Sequence, residues 1–323
     1  MTVAFHKFTM VVAALTLLTG CTLFSGEPAP APAVLLPSES GGQLETSSAL
    51  QTCTPEAGAP FSYRKPIFLA GTLTASNLAR DLPGLGKLSS QRLQMHLEQL
   101  DRFNVVAVHD ESFNSMAADT QLVVQQFGRQ HQSQFVVKIE IQDLTVYSPG
   151  GRLYKLMGGY DQRHVLIKSF IYDAENGSLF FSKQYKDTVH GDVVGYPGDS
   201  KKINPTYWTK TVLGQRIDKV LEDISSEVNE KLACVPLSAK VTAVKGKDIH
   251  INAGFLNGIR AGETMRVYRK SRIWASDGSL KKGVDNDWVQ VFAVFPGHSV
   301  ARLANLEQGM DSSLNVGDVV RAW

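Results

Sequence analysis

The sequence predicts an α/β domain with helices packed on a mixed sheet, followed by a small all-β barrel. Between residues 61 and 236, short apolar segments alternate with amphipathic helical patterns. After residue 236, short strand-like segments follow one another with glycine-rich turns and no helix-length pattern. The chain has 323 residues, 43% of them hydrophobic, which is enough for about two domains.

Residues 1–20 are expected to be a signal peptide. Lys7 precedes an apolar run that is too short for a permanent membrane-spanning helix. The run ends in Leu-Thr-Gly-Cys21, which resembles the bacterial lipobox, so Cys21 is the expected lipidation site. An ordinary cleaved signal with a chance cysteine is the alternative. By resemblance to the lipoprotein class, Thr22 rather than Asp after the cysteine favours the outer membrane, where palmitate on Cys21 is expected to anchor the chain at the periplasmic face.

Residues 21–60 form the expected linker behind the lipidated cysteine. Prolines alternate with alanines at 28–33, and a Ser/Gly-rich stretch follows at 38–48. The first composition is typical of a semi-stiff polyproline spacer and the second of a flexible tether. No secondary structure is expected there.

Two further cysteines flank the α/β domain. Cys53 precedes the first strand-like segment, and Cys234 follows the last long helical pattern. Because the periplasm is oxidising, we expect a disulfide between them, which would contribute about 2–4 kcal/mol. Two unpaired thiols are the alternative. A zinc site is not expected, since neither cysteine lies in a CxxC pattern.

The α/β domain, residues 61–236, is expected to have the order β-α-β-α-β-β-β-α. Strands are predicted at 67–73, 103–109, 135–147, 164–173 and 178–188, and helices at 84–102, 117–131 and 205–232. In the second helix, Leu122, Val123 and Phe127 are expected to point inward. Asn176-Gly177 predicts a hairpin tip between the last two strands.

The last helix of this domain carries the strongest pattern. Asn204-Pro205 is a natural start, and Pro236 follows the end. The expected apolar stripe consists of Leu213, Ile217, Val220, Leu221, Ile224, Val228 and Leu232.

The barrel is expected over residues 237–323. Strands are predicted at 241–244, 249–251, 265–269, 289–295, 299–303 and 315–323. Glycines at 254, 258 and 262 are interpreted as tight barrel turns, because the strand-GxGxxG-helix context of a phosphate site is missing.

Charge and motifs argue against several function classes. The net charge of +2, without a basic stripe, disfavours nucleic-acid binding, and the mean hydropathy of −0.11 excludes a polytopic membrane protein. The chain contains no HExxH or GxSxG motif. We therefore expect no catalytic residues, no metal and no cofactor.

One loop stands out between two predicted strands. Aromatic and basic residues alternate with glycines around Tyr147, Arg152, Tyr154 and Tyr160. A long mobile hairpin loop is the simple interpretation. Because Tyr, Arg and Met are enriched at interfaces, a partner-binding loop is the sharper hypothesis. Trp208 either extends that surface or fills the core.

The domain order, the run INAGFLNGIRAGETMRVYRK at 251–270 and the closing NVGDVVRAW together resemble the family of the flagellar assembly protein FlgT over residues 60–323. The resemblance implies a TolB-N-like α/β domain, an SH3-like barrel and a non-enzymatic role. It also implies flagellar basal-body ring proteins as partners and a homo-oligomeric ring at the outer membrane. The sequence departs from the family in having a lipobox and a proline linker where fuller members carry a further domain.

Two other resemblances remain open. A TolB-N-like fold on a lipoprotein tether also resembles activators of peptidoglycan synthases, although those do not carry such a barrel. It resembles subunits of curli-type outer-membrane secretion assemblies as well, but these need long membrane-facing hairpins, unlike the polar loop at 147–162. Copurification with basal bodies, with a murein synthase or as a pore oligomer would distinguish the three.

Overall fold

The computed structural model describes residues 63–74, 82–108, 120–147, 150, 161–190, 208–269, 272–274, 280–282, 288–304 and 314–322. The described residues belong to one compact unit. The expected signal peptide, Cys21, the linker and Cys53 lie outside them. Within the described residues, no helix is both long and apolar enough to span a membrane.

The α/β part has the predicted order of strands and helices. It begins with β1 (Lys65–Leu69), β2 (Leu73–Thr74), α1 (Leu85–Gln99) and β3 (Phe103–Ala107). It continues with α2 (Thr120–Gln130), β4 (Phe135–Asp143), β5 (Val146–Tyr147), β6 (Gln162–Asp173), β7 (Leu179–His190) and α3 (Val212–Ala233).

These strands form a mixed sheet. β1 lies between β3 and β4 and is parallel to both, while β4 pairs antiparallel with β6. β2 extends the pairing of β1 along β4, and β5 and β7 both pair with β6. At the β6–β7 turn, Gly177 adopts a φ of 72°, and the Asp173 carboxylate accepts a bond from the Glu175 amide at 2.7 Å. The predicted hairpin tip is confirmed.

The larger core lies between the sheet and the helices α1 and α3. Alternate residues of the central strands, such as Ile139 and Ile167, face this layer and are fully buried. Leu93 and Leu97 of α1 meet them, as does every residue of the apolar stripe predicted for α3. Trp208 is buried in the same cluster, so it fills the core and does not extend a binding surface.

The start of α3 differs from the prediction. The helix begins at Val212, where Thr211 is the N-cap residue and its hydroxyl accepts a bond from the Gly214 amide at 3.0 Å. The predicted start at Asn204-Pro205 lies outside the described residues. Gly214 also permits close packing, since a Cβ there would lie 2.0 Å from the carbonyl oxygen of Trp208.

A partly buried ion pair joins α1 to α3. Arg92 binds Asp218 through two hydrogen bonds of 2.8 and 2.6 Å, and His96 Nε2 lies 3.1 Å from the same carboxylate. Burial alone would raise the pKa of Asp218, but the bonds from Arg92 and His96 outweigh it and lower that pKa. The pair therefore stabilises the helix layer most when Asp218 is ionised.

The opposite face of the sheet is covered by α2. Its buried residues are Val124 and Gly128, and Val123 and Phe127, predicted to point inward, are partly buried against the same face. Gly128 approaches Ala174 so closely that a Cβ would lie 2.5 Å from the Ala174 Cβ. The inward orientation predicted for Leu122 is wrong: this side chain is 61% exposed. Two residues along a helix rotate by about 200°, so a helix that buries Val124 turns Leu122 to solvent.

The C-terminal part is a closed antiparallel barrel of six strands. Its strands are β8 (Leu237–Lys245), β9 (Asp248–Ile251), β10 (Thr264–Tyr268), β13 (Trp288–Val294), β14 (Ser299–Leu303) and β15 (Val319–Ala322). They follow one another around the barrel in the order β10-β13-β14-β9-β8-β15. A separate hairpin, β11 (Arg272–Trp274) and β12 (Leu280–Lys282), was not predicted.

The barrel turns explain the predicted glycine pattern. Gly258 and Gly262 adopt φ values of 82° and 93°, a region that favours glycine. Gly254 is needed for a different reason, because a Cβ there would lie 2.1 Å from the carbonyl oxygen of Phe295. The interpretation of these glycines as turn residues is confirmed.

We expect Asp218→Asn to lower the free energy of unfolding by about 1 kcal/mol at neutral pH, a modest value because the pair is partly exposed. The folded-state pKa of Asp218 is lowered. Its contribution is therefore complete above the ordinary carboxyl pKa of about 3.9 and is lost as the pH falls through the lower folded value. Urea unfolding across this pH range measures the difference between wild type and variant.

The control is Glu222→Gln on the same helix, which removes the exposed partner of Lys219. Its stability should stay close to wild type. Equal losses for the two variants, or a loss for Asp218→Asn that persists at acid pH, would contradict the role assigned to the Arg92–Asp218 pair.

Candidate functional site

The predicted partner-binding loop leaves the sheet at the end of β5 and returns at the start of β6. There Tyr147 pairs with Gln162, and Gln162 pairs on its other side with His190 of β7. Tyr147 is 52% exposed, and its ring lies 6.2 Å from that of His164. The base of the loop thus presents an aromatic ring and imidazoles on three adjacent strands, which we call the hairpin base (Val146, Tyr147, Gln162, His164 and His190).

The other residues predicted for this surface cannot be placed. Arg152, Tyr154 and Tyr160 lie outside the described residues. Their role in partner binding stays a prediction, and Tyr147 is the member whose position the structure gives. His164 was not predicted as part of this surface. It lies opposite Thr188 in the β6–β7 register, with its Nδ1 3.4 Å from the Thr188 hydroxyl.

A buried arginine lies directly beneath this surface. Arg163 is 1% exposed and occupies the second position of β6. Alternation along the strand places it on the same face as Val165 and Ile167, which belong to the large core. The sequence signal was available, because the spacing Arg163-Val165-Ile167 puts a charge on the apolar face.

The cysteine prediction is only half within the described residues. Cys234 is the C-cap residue of α3 and is partly buried, so it lies at the boundary between the α/β part and the barrel as expected. Cys53 lies outside the described residues, and their pairing remains a prediction.

Gln134 joins the sheet to the barrel. Its backbone amide donates to Pro66 at 2.8 Å, and its backbone carbonyl accepts from Ala174 at 3.0 Å. Its side chain donates to the carbonyl of Pro236 at 2.8 Å and accepts from the amide of Ser238 at 3.1 Å. One residue thereby fixes the starts of β1 and β8 and the β6–β7 turn relative to β4.

A second set of contacts joins the start of the described chain to the barrel. The Arg64 backbone amide donates to the Asn257 carbonyl at 2.9 Å. The Asn257 side-chain amide donates in turn to the Arg64 carbonyl at 3.2 Å. Tyr63 donates to Glu263 at 3.2 Å. Burial, and then the Glu263 charge, raise the pKa of Tyr63 to about 12, so its hydroxyl remains a donor at physiological pH.

A cleft of about 160 Å³ opens beside the Gln134 junction, with Gln134, Pro236 and Ser238 in its lining. Asp173 and Glu175 lie on the wall from the β6–β7 turn, and Lys240 and Arg321 on the wall from the barrel. The apolar lining includes Phe135, Phe180 and Val319. The two walls of the cleft therefore carry charges of opposite sign.

The described residues contain no group of three or more His, Cys, Asp and Glu side chains that could hold a metal ion. The His96–Asp218 contact has the distance of an acid–base pair, but Arg92 neutralises the same carboxylate and the contact joins two helices. Its geometry accounts for the packing of α1 against α3.

Residues 72–194 match the family model described as flagellar assembly protein T, middle domain. The match includes every strand from β2 to β7, and the predicted resemblance to this family is confirmed for that part of the chain. The barrel lies outside the matched residues.

Solved structures show further similarity. A hypothetical protein from Chlamydia trachomatis is 13% identical, with 53% of this chain and 99% of that chain covered and a TM-score of 0.39. A lipoprotein from Neisseria meningitidis is 15% identical, with 50% and 99% covered and a TM-score of 0.31. A PelC dodecamer from Paraburkholderia phytofirmans is 9% identical, with 52% and 87% covered and a TM-score of 0.30. No curated protein matches the chain.

We expect Gln134→Leu to lower the free energy of unfolding by about 1–3 kcal/mol, because it leaves the Pro236 carbonyl and the Ser238 amide without their bonds. Hydrogen exchange at Ser238 should accelerate together with that loss. Gln142→Leu is the matched control, since Gln142 lies on β4 and bonds only exposed side chains among its described contacts. It should change stability by less than about 0.5 kcal/mol. If the two variants behaved alike, the junction role of Gln134 would be wrong.

Proposed function

We propose, on the premise that residues 72–194 are a middle domain of the flagellar assembly protein T family, that this chain is a non-enzymatic outer-membrane lipoprotein. It helps to assemble or stabilise a ring of the flagellar basal body. The observation that carries the proposal is the family match across the sheet that presents the hairpin base. The match supports a role in flagellar assembly, and the ring function is our extension of it.

The anchoring part of the proposal rests on the N-terminal sequence. Acylation of Cys21 would attach the chain to the outer membrane, and two or more acyl chains hold a protein stably where one does not. The linker at 21–60 would then let the folded body reach partners on the periplasmic side.

The partners proposed are ring proteins of the basal body and further copies of this chain. The hairpin base supports this choice, because tyrosine is enriched at interfaces and Tyr147 is exposed on a paired strand of the sheet. The β6–β7 hairpin that carries it is long and paired from Gln162–His190 to Tyr172–Leu179, so a ring partner would meet a preformed surface.

A strain lacking the gene is expected to lose swimming, with filaments absent or basal bodies missing their outer ring in electron micrographs. A Cys21→Ser strain should show the same defect if the lipid is required. Thr22→Ser is the matched control, because it alters the neighbouring residue and keeps the acylated thiol. Normal swimming with altered murein cross-linking or cell shape would overturn the flagellar proposal in favour of a peptidoglycan synthase activator.

We also expect a loop variant to lose its partners while keeping its fold. Tyr147→Ser, Arg152→Ser, Tyr154→Ser and Tyr160→Ser combined should reduce copurification with basal bodies at least about tenfold, since a few aromatic and arginine residues dominate most interfaces. Tyr147 is half exposed, so its replacement removes little packing.

Leu122→Ser provides the comparison for this variant. Leu122 is an exposed apolar residue on α2, away from the hairpin base. Its copurification should match wild type. Thermal unfolding of both proteins separates lost binding from lost structure, and undiminished copurification of the loop variant would remove the loop from the interface.

A further inference from the structure

Two neighbouring turns of the barrel expose large apolar side chains side by side. One is the 3₁₀ turn Phe255–Asn257, and the other is the turn between β13 and β14, residues 295–298. The Phe255 amide donates to the Phe295 carbonyl at 3.0 Å, and the Leu256 amide donates to the Pro296 carbonyl at 3.0 Å. We call these four residues, Phe255, Leu256, Phe295 and Pro296, the apolar turn pair.

The exposure of the apolar turn pair is large. Phe255 is 56% exposed, Leu256 41% and Phe295 44%. Neither turn contains Asp, Glu, Lys or Arg. Adjacent exposed apolar residues without charges mark a surface that meets another apolar phase, because leaving them in water is unfavourable.

The backbone holds this surface in a fixed shape. Gly254 permits the close approach of the two turns, and the Asn257 side chain accepts a bond from the Gly254 amide at 3.2 Å. The Phe295 ring stacks on His298 with the ring centroids 4.4 Å apart. The exposed side chains are thus presented by a rigid scaffold.

The chain enters the described structure at this surface. Asn257, directly after Leu256, exchanges hydrogen bonds with Arg64, and Tyr63 bonds Glu263 nearby in the barrel. About 40 residues separate Tyr63 from Cys21. The tether predicted from the composition of residues 21–60 would have a root-mean-square span of about 35 Å. With Cys21 acylated as proposed, the apolar turn pair would stay within reach of the bilayer, at an effective concentration where weak docking is populated.

We infer that the apolar turn pair is a membrane-docking surface that enters the boundary between headgroups and acyl chains of the bilayer anchoring this protein. Aromatic and aliphatic side chains suit that boundary, and their burial adds to the anchoring by the acyl chains. The inference rests on the proposed lipidation for the tether, but the docking itself is a separate property of the barrel.

The test places tryptophan at position 256 and measures its quenching in vesicles of phosphatidylglycerol and phosphatidylcholine brominated along the acyl chains. Leu256→Trp in the full acylated chain should show quenching beyond that of the parent protein. Val316→Trp is the matched control, since Val316 is 67% exposed on a different turn of the barrel. It should show no added quenching. Phe255→Ser with Phe295→Ser should reduce the added quenching of Leu256→Trp at least about threefold.

A second sample separates this inference from the proposed lipidation. A hexahistidine tag in place of residues 1–21 and a nickel-chelating lipid attach the chain to the same vesicles without acylation. Added quenching of Leu256→Trp in that sample supports docking even if Cys21 is not acylated. Equal quenching of Leu256→Trp and Val316→Trp, or none for either on attached protein, would overturn it. The inference would also be overturned if position 256 became more buried in vesicle-free protein as the protein concentration rises. A second copy of the chain would then be the occupant of this surface.

Discussion

The hydrogen bonds of Gln134 are the constraint on which the arrangement of the molecule depends. Its backbone connects β1 to the β6–β7 turn, and its side chain satisfies both a carbonyl and an amide at the start of the barrel. An amide side chain can do this because it carries a donor and an acceptor at one end. The barrel is consequently held against the sheet by directional bonds as well as by the chain connection at Pro236, and surfaces on the two parts keep a defined relation.

The two faces of the sheet are covered unequally, and this asymmetry determines which surfaces remain available. α1 and α3 bury a large cluster on one face, whereas α2 covers the other face through Val124, Gly128 and their neighbours. On that second face, Lys138 and Lys168 lie over the ring of Phe170 within the sheet itself. The long β6–β7 hairpin extends past β1, and its end carries exposed residues. Alternate residues on the other face of the same strands are buried or partly buried in the core.

Much of this fold follows from local patterns, and the errors have physical causes. The α3 stripe and the Asn-Gly hairpin are predictable because each depends on spacing within one element. Leu122 was assigned to the wrong face because the short helix α2 has two possible apolar faces, and the fit of Gly128 against Ala174 decides between them. Arg163, Gln134 and barrel closure depend on partners distant in sequence. Of the candidate site, Tyr147 was predicted from the sequence. The positions of His164 and of the apolar turns could be recognised only from the strand register and the contacts between the turns.

The two proposed surfaces lie at opposite ends of the described structure. β6 runs twelve residues from the hairpin base to the turn beside the barrel. At about 3.3 Å per residue over eleven steps, the ends of this strand lie about 36 Å apart. The apolar turn pair is at the barrel, next to the point where the tether enters, and the hairpin base is at the far end of the sheet. A body that rests on the bilayer through its barrel turns would therefore present the hairpin loop well away from the lipid, where a ring partner in the periplasm can reach it. The same rigid junction at Gln134 that fixes the barrel also fixes this separation, so loosening it would affect both contacts together.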